Sequence, residues 1–326
     1  MVGLVSGVGC GDNNSGGITF AEYAAENADA ACSYLTRCGL YTNVSDCKKY
    51  LSGTISPELE AFINSNKATF HGEIAAECLA RLNNLSCAPA DESYRTGGQG
   101  CVDIVTGNTA PGRACTTSLQ CESGRCIREG TISNCEPGVC GPLNPPGAAG
   151  EACVNDGVLE CKDGLFCDAS GVCVGLLSAG ATCFFSSDCG YGLTCFSPTN
   201  KCTATVTTGA SCAAADCDKV GDQCDAITMT CKPLGRTGEA CSPTLACISP
   251  LTCNQTTNTC LPRATLGQPC TDDCELGSFC NYDSDFCESL KPDGATCKSS
   301  SACSSRYCEI VSGADAGTCK SEQVCF

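Results

Sequence analysis

Thirty-seven of the 326 residues are cysteine, against a single histidine, His71. Thiols can attack electrophiles, hold metals or oxidise to disulfides, and their spacing separates these uses. No two cysteines stand as Cys-x-x-Cys, the short spacing at which zinc sites pair their ligands, so Cys-x-x-Cys-His haem attachment is absent too. A nucleophilic cysteine needs a free thiolate beside a base. The only imidazole lies in TFHGEIAAEC, with Glu73 two residues on, where a helix is about to start; that position suits a surface or capping residue. No phosphate-cradling glycine loop, Gly-x-Ser-x-Gly elbow or zinc-protease helix is present. The acidic pairs Asp272/Asp273 and Asp283/Asp285 lack the multi-oxygen loop of an EF-hand and read as solvated hairpin tips. Disulfides remain. The composition, about 11% cysteine, exceeds the level that marks a disulfide scaffold in short secreted chains. Such a chain belongs in an oxidising compartment, and the expectation is a non-enzyme without cofactor or metal.

The cysteines repeat. Gly-x-x-Cys opens seven clusters, at Gly112/Cys115, Gly150/Cys153, Gly180/Cys183, Gly209/Cys212, Gly238/Cys241, Gly267/Cys270 and Gly294/Cys297. Five clusters have four cysteines (153–173, 183–202, 212–231, 241–260, 270–287), and five-cysteine units at 115–140 and 297–325 flank them. Irregular ends are expected of a capped array. Each unit is too short to bury a core unaided. Gly, Pro, Asn and Asp between the third and fourth cysteines, as in CDASGVC and CFSPTNKC, favour tight turns, so each unit reads as a two-stranded hairpin laced by two bridges. Nine residues separate the fourth cysteine from the next first one in every case from Cys173 to Cys297. A floppy linker would tolerate drift in length; constancy predicts a repeated backbone turn, a fixed unit-to-unit contact and a semi-rigid rod. Leu177, Val206, Leu234 and Leu290 are the expected apolar fillers.

Three other regions precede the array. Residues 1–17 read as leader and tether. Residues 18–87 carry helical periodicity: Phe20, Tyr23, Ala24, Ala28, Ala31, Tyr34, Leu35 and Cys38 share a face behind a Thr19/Glu22 capping box. Further helices are expected from Ser45, from Ser56-Pro57-Glu58 and through Ile74, Cys78, Leu79 and Leu82. Cysteines 32, 38, 47 and 78 would staple this marginal core. Residues 88–114, with Cys101, read as a polar connector. The predicted fold is therefore a small disulfide-stapled α-helical domain followed by an elongated array of short β-hairpins over 115–326.

Net charge is −17. The acids are scattered, giving a mutually repelling surface, and no basic stripe offers a nucleic-acid footprint. No apolar run approaches a membrane span.

The pattern G-x-x-C-x5-C-x-x-G-L-x-C-x6-C, cleanest from Gly180 to Cys202, resembles the Dickkopf N-terminal cysteine-rich type of domain. The chain is also similar, over a longer stretch, to cysteine-rich lipoproteins of myxobacteria. That likeness adds the helical region, through Cys32, Cys38-Gly39, Cys47, Cys78-Leu79-Ala80-Arg81-Leu82 and Cys87. Two units depart from the pattern: six residues separate Cys217 from Cys224, and CISPLTC has Pro250 where others have glycine. No vertebrate two-domain signalling layout is present, and no Wnt-antagonist role is carried over. Four cysteines allow three pairings. The resemblance to small hairpin modules implies first-to-third and second-to-fourth: Cys153–Cys167 with Cys161–Cys173, Cys183–Cys195 with Cys189–Cys202, Cys212–Cys224 with Cys217–Cys231, Cys241–Cys253 with Cys247–Cys260, and Cys270–Cys280 with Cys274–Cys287.

Cys10 is the odd cysteine. With Gly9 before it and a Gly/Asn/Ser stretch after it, it resembles a bacterial lipoprotein processing site, which implies a lipid anchor on Cys10 and membrane attachment by that lipid alone. The functional expectation is a non-catalytic, secreted or cell-surface protein, of the outer envelope if bacterial, that recognises an extracellular protein or glycan. An envelope spacer without a ligand and a secreted inhibitor scaffold are the alternatives. The tips DASG, SPTN, AITM, QTTN and YDSD share little, which favours a spacer or divergent binding over identical repeated sites.

Overall fold

The computed structural model describes residues 17–51, 57–91, 101, 103–128, 137–143, 146–153, 161–270, 274–311 and 314–320. Helix α1 (Phe20–Arg37) starts at a full capping box: Thr19 Oγ1 accepts from the Glu22 amide, and Glu22 accepts from the Thr19 amide at 2.7 Å. Helix α2 (Val44–Leu51) begins one residue before the predicted Ser45, because Asn43 Oδ1 caps the Asp46 amide at 2.8 Å. Helix α3 (Pro57–Asn64) contributes the fully buried Phe62, and strand β1 (Ala68–Phe70) leads into α4 (Gly72–Asn84), which buries Ala75, Cys78 and Leu79.

The helices are tied by Cys32–Cys47, Cys38–Cys87 and Cys78–Cys101. The last bond gives part of the 88–114 stretch a second task. Cys101 anchors it to α4, Ile104 is buried against Ala75 and Cys78, and strand β2 (Val105–Gly107) pairs antiparallel with β1. A Gly-rich composition hid this short apolar return, which completes the helical domain.

Each four-cysteine unit is one antiparallel hairpin: β6–β7 (Leu165–Cys167, Cys173–Gly175), β8–β9 (Leu193–Phe196, Lys201–Ala204), β10–β11 (Asp222–Asp225, Thr230–Pro233), β12–β13 (Thr252–Asn254, Thr259–Leu261) and β14–β15 (Ser278–Asn281, Phe286–Ser289). The flanking units form three-stranded sheets. The first joins Ala114–Cys115 (β3), Cys126–Ile127 (β4) and Gly138–Cys140 (β5); the last joins Thr296–Cys297 (β16), Cys308–Glu309 (β17) and Gly317–Cys319 (β18).

The opening Gly-x-x-Cys does one job seven times. Gly180 adopts φ +81° and donates its N–H to the Cys202 carbonyl at 2.8 Å; Gly112, Gly150, Gly209, Gly238, Gly267 and Gly294 are likewise left-handed and make the matching bond at the same length. Glycine reaches that φ without a Cβ penalty. The start of the spacer is bonded too: Leu177 pairs with Cys189, Val206 with Cys217, Gly235 with Cys247, Ala264 with Cys274 and Lys291 with Cys303. The constant spacer length thus closes each unit upon itself. At two junctions it also fixes unit to unit, as expected. Leu234 N–H donates to Gly221 of the preceding unit while Gly235 N–H donates to Ala246 of the next, and Leu290 and Lys291 do the same with Gly277 and Ala302. Side chains add to this contact. Gln223 Oε1 accepts from the Ala246 amide at 2.8 Å, and Phe279 packs into the core of the last unit beside Leu290.

The array runs alongside the helical domain, and the turns between second and third cysteines make the contact. In four successive units these turns meet the head in order. Gly192 N–H donates to the Ala90 carbonyl at 2.6 Å, and Val220 N–H to Cys87 at 2.9 Å. Ser249 donates to Leu40 at 3.0 Å and accepts from Thr42 at 2.9 Å. Tyr50 then meets the next turn, its hydroxyl accepting from the Leu276 amide beside Glu275. The two sequence departures fall here. The longer Cys217–Cys224 turn places Gly221 directly beneath the Cys38 carbonyl, and CISPLTC supplies Ser249 to the α1–α2 junction.

Candidate functional site

The structure brings together all ten cysteine pairs named for the full repeats, with S–S distances from 1.92 to 2.05 Å. The flanking units interlace the same way, through Cys115–Cys126 with Cys121–Cys140 and Cys297–Cys308 with Cys303–Cys319. Cys10, Cys135, Cys325, Asp272 and Asp273 lie outside the described residues. Triplets such as Cys183, Cys189 and Cys202 bring three sulfurs within 4.8 Å of one another, yet each sulfur is already in a disulfide and offers no thiolate. His71 sits at the N-cap of α4, but its ring does not cap; Nε2 lies 2.8 Å from Thr106 Oγ1 and ties the helix start to β2. Asp283 forms an exposed ion pair with Lys298, and Asp285 occupies a hairpin tip at φ +58°.

The described residues present a concave polar surface where the head meets the last two units. A cavity of about 150 Å³ is lined by Tyr50 of α2, Arg263 of the spacer, Glu275 and Tyr282 of the 270–287 unit, and Ser301 and Arg306 of the last unit. The Arg263 guanidinium stacks over the Tyr50 ring at 5.5 Å, while its Nε donates to the Pro250 carbonyl at 3.0 Å. Burial pushes the Tyr50 hydroxyl above its ordinary pKa, the Arg263 charge pulling it back and Glu275 pushing it further up. At neutral pH it is therefore a protonated donor. Tyr282 is 72% exposed on the rim. A second cavity of about 250 Å³ opens on its other side, beside Lys291 and Lys298. In a chain of net charge −17, four cations and several aromatic rings gather here against two carboxylates, Glu275 and Asp283, the latter paired with Lys298.

Exposed apolar residues mark a second surface. Phe184 and Phe185 are 77% and 63% exposed. Both amides donate to Asp188 Oδ2 at 2.9 Å, and Asp188 is itself buried, so the loop is held firmly.

Sequence reasoning missed the cleft, since its residues come from four separate segments. One signal was present in the pattern. The third residue after the second cysteine is glycine in CESGRC, CKDGLFC, CGYGLTC and CELGSFC, but arginine in CSSRYC.

Comparison with protein-family models, with curated proteins and with solved structures yields no match. The fold itself defines the class: a disulfide-rich hairpin repeat array with a small helical domain, built for an oxidising, extracellular setting. No helix among the described residues is long and apolar enough to cross a membrane.

Proposed function

We propose that this chain is a non-catalytic cell-surface protein that recognises an extracellular ligand at the junction of its helical head and its disulfide array. One observation carries the reading. The array is hydrogen-bonded along the head through Ala90, Cys87, Leu40 and Thr42, and Arg263 is stacked on Tyr50 and bonded to Pro250, so the head-side wall of the cleft that Tyr282 and Arg306 complete is already in place. A site whose walls are already in place loses little freedom on binding. The resemblance to lipid-anchored cysteine-rich proteins adds that Cys10 tethers the mature chain to the envelope.

Saturable binding tests the proposal. Labelled full-length chain should bind intact cells or their isolated surface material, be displaced by unlabelled chain, and lose that binding when reduced and alkylated. Equal binding of native and reduced chain, or no saturable binding at all, would leave the spacer reading, which the unlike hairpin tips favour.

A further inference from the structure

Arg306 stands where the fold asks for glycine. In four other units the third residue after the second cysteine is Gly124, Gly164, Gly192 or Gly277, with φ +65°, +78°, +81° and +91°. Arg306 takes the same left-handed turn at φ +58°. A long side chain in that region is strained, and such strain persists where it is tied to a task. Arg306 is exposed, no ion pair or side-chain hydrogen bond from another described residue holds its guanidinium, and it lines the cleft with Tyr50, Tyr282 and Arg263.

We infer that this cleft binds an acidic saccharide, a sugar ring bearing a carboxylate, with Arg306 as the residue that grips the carboxylate. The inference rests on the recognition reading above and names its ligand. A guanidinium presents parallel donors that match a carboxylate fork. Tyr50 and Tyr282 supply flat ring faces with polar tips; Glu275 and Ser301 supply an acceptor and a hydroxyl for sugar hydroxyls. The cavity, about 150 Å³, lies below the usual range for drug-sized ligands, about 300–1,000 Å³, and admits one ring of a longer chain. Tyr and Arg also anchor protein interfaces; the small volume and mainly polar walls of this cleft favour a single sugar ring, and a peptide is the competing outcome of the test.

The test uses the full chain against a panel of uronate oligosaccharides, their carboxyl-reduced counterparts and a Glu-rich peptide, read by calorimetry and by saturation transfer to sugar protons. At least one uronate should bind, with at least tenfold loss on carboxyl reduction. Arg306→Gly should keep or raise the melting temperature, since glycine relieves the turn, while weakening uronate binding tenfold or more. Arg306→Lys should recover only part of it. Three results would each overturn the inference: equal affinity for reduced and unreduced sugars, unchanged uronate binding by Arg306→Gly, or binding of the peptide with no uronate bound. If cell-surface binding by the full chain persists while every uronate fails, the ligand class falls and recognition stands. If both fail, recognition falls with it.

Discussion

The carbonyl oxygen of Cys38 occupies the space where Gly221 would otherwise carry a side chain. Cys38 closes α1 and is bonded to Cys87, whose own carbonyl accepts from Val220 one residue away. A single glycine in the array therefore lets the helical head approach to backbone contact. Gly221 has an ordinary φ, so any cost of replacing it is steric. Gly221→Ala should lower stability by roughly 1–3 kcal/mol, the usual cost of forcing extra volume into a close-packed contact. Hydrogen exchange should speed at Val220 and Ser249. Gly175→Ala, with nothing near the added methyl, is the control and should stay within about 0.5 kcal/mol. Equal melting temperatures for the two variants would mean that the head and array do not meet at Gly221.

Gly180→Ala tests a different cost. Its Cβ would meet nothing, but φ is +81°, so a loss of roughly 1–2 kcal/mol should come from backbone strain alone. The amide of Gly180, bonded to the Cys202 carbonyl, should show it first by exchange. A neutral substitution would remove the argument that Gly-x-x-Cys closes each unit.

Asp225 gives the array a pH dependence. It is buried in the 212–231 hairpin, and the hydrogen bond from Lys232 Nζ at 2.5 Å, with further bonds from Thr228 Oγ1 and the Ile227 amide, holds its pKa down to about 2. Unfolded aspartate titrates near 4. Because the folded value is the lower one, the stabilisation is complete above about pH 4 and disappears as pH falls toward 2. Carboxyl chemical shifts should show a midpoint near 2, rising toward the ordinary value in Lys232→Met. A midpoint near 4 in the native protein would rule out the hairpin-tip geometry.

Much of this architecture could be read before the structure, and the reason is covalent. Cysteine positions are discrete and their spacing recurs while the residues between them differ from unit to unit, so the seven units were visible; α1 showed through its 3.6-residue periodicity and the Thr19/Glu22 capping box. The return of Cys101, Ile104 and Val105 to the head was not, because three short contacts leave no periodicity. Nor was the alignment of head and array. It depends on single backbone groups at Leu40, Cys87 and Ala90, and backbone bonds carry no side-chain signature. The two irregular turns, at Cys217–Cys224 and CISPLTC, were its only trace, and Arg306 in place of glycine was the only trace of the cleft.

Reduction should dismantle the array. Bridges in the full repeats span from 10 to 14 residues, each worth about 3 kcal/mol by loop-closure entropy, and cysteines make up most of the buried residues in these units. Far-ultraviolet dichroism should lose its β contribution in strong reductant. Retention of the native spectrum would show an unrecognised core.

The most direct measurement is a disulfide map of the non-reduced protein by mass spectrometry. The interlaced hairpin account expects Cys183 linked to Cys195 and Cys189 to Cys202, the same order in each neighbouring unit, and Cys78 linked to Cys101 in the head. Neighbouring pairs such as Cys183–Cys189, or free thiols among these positions, would contradict it.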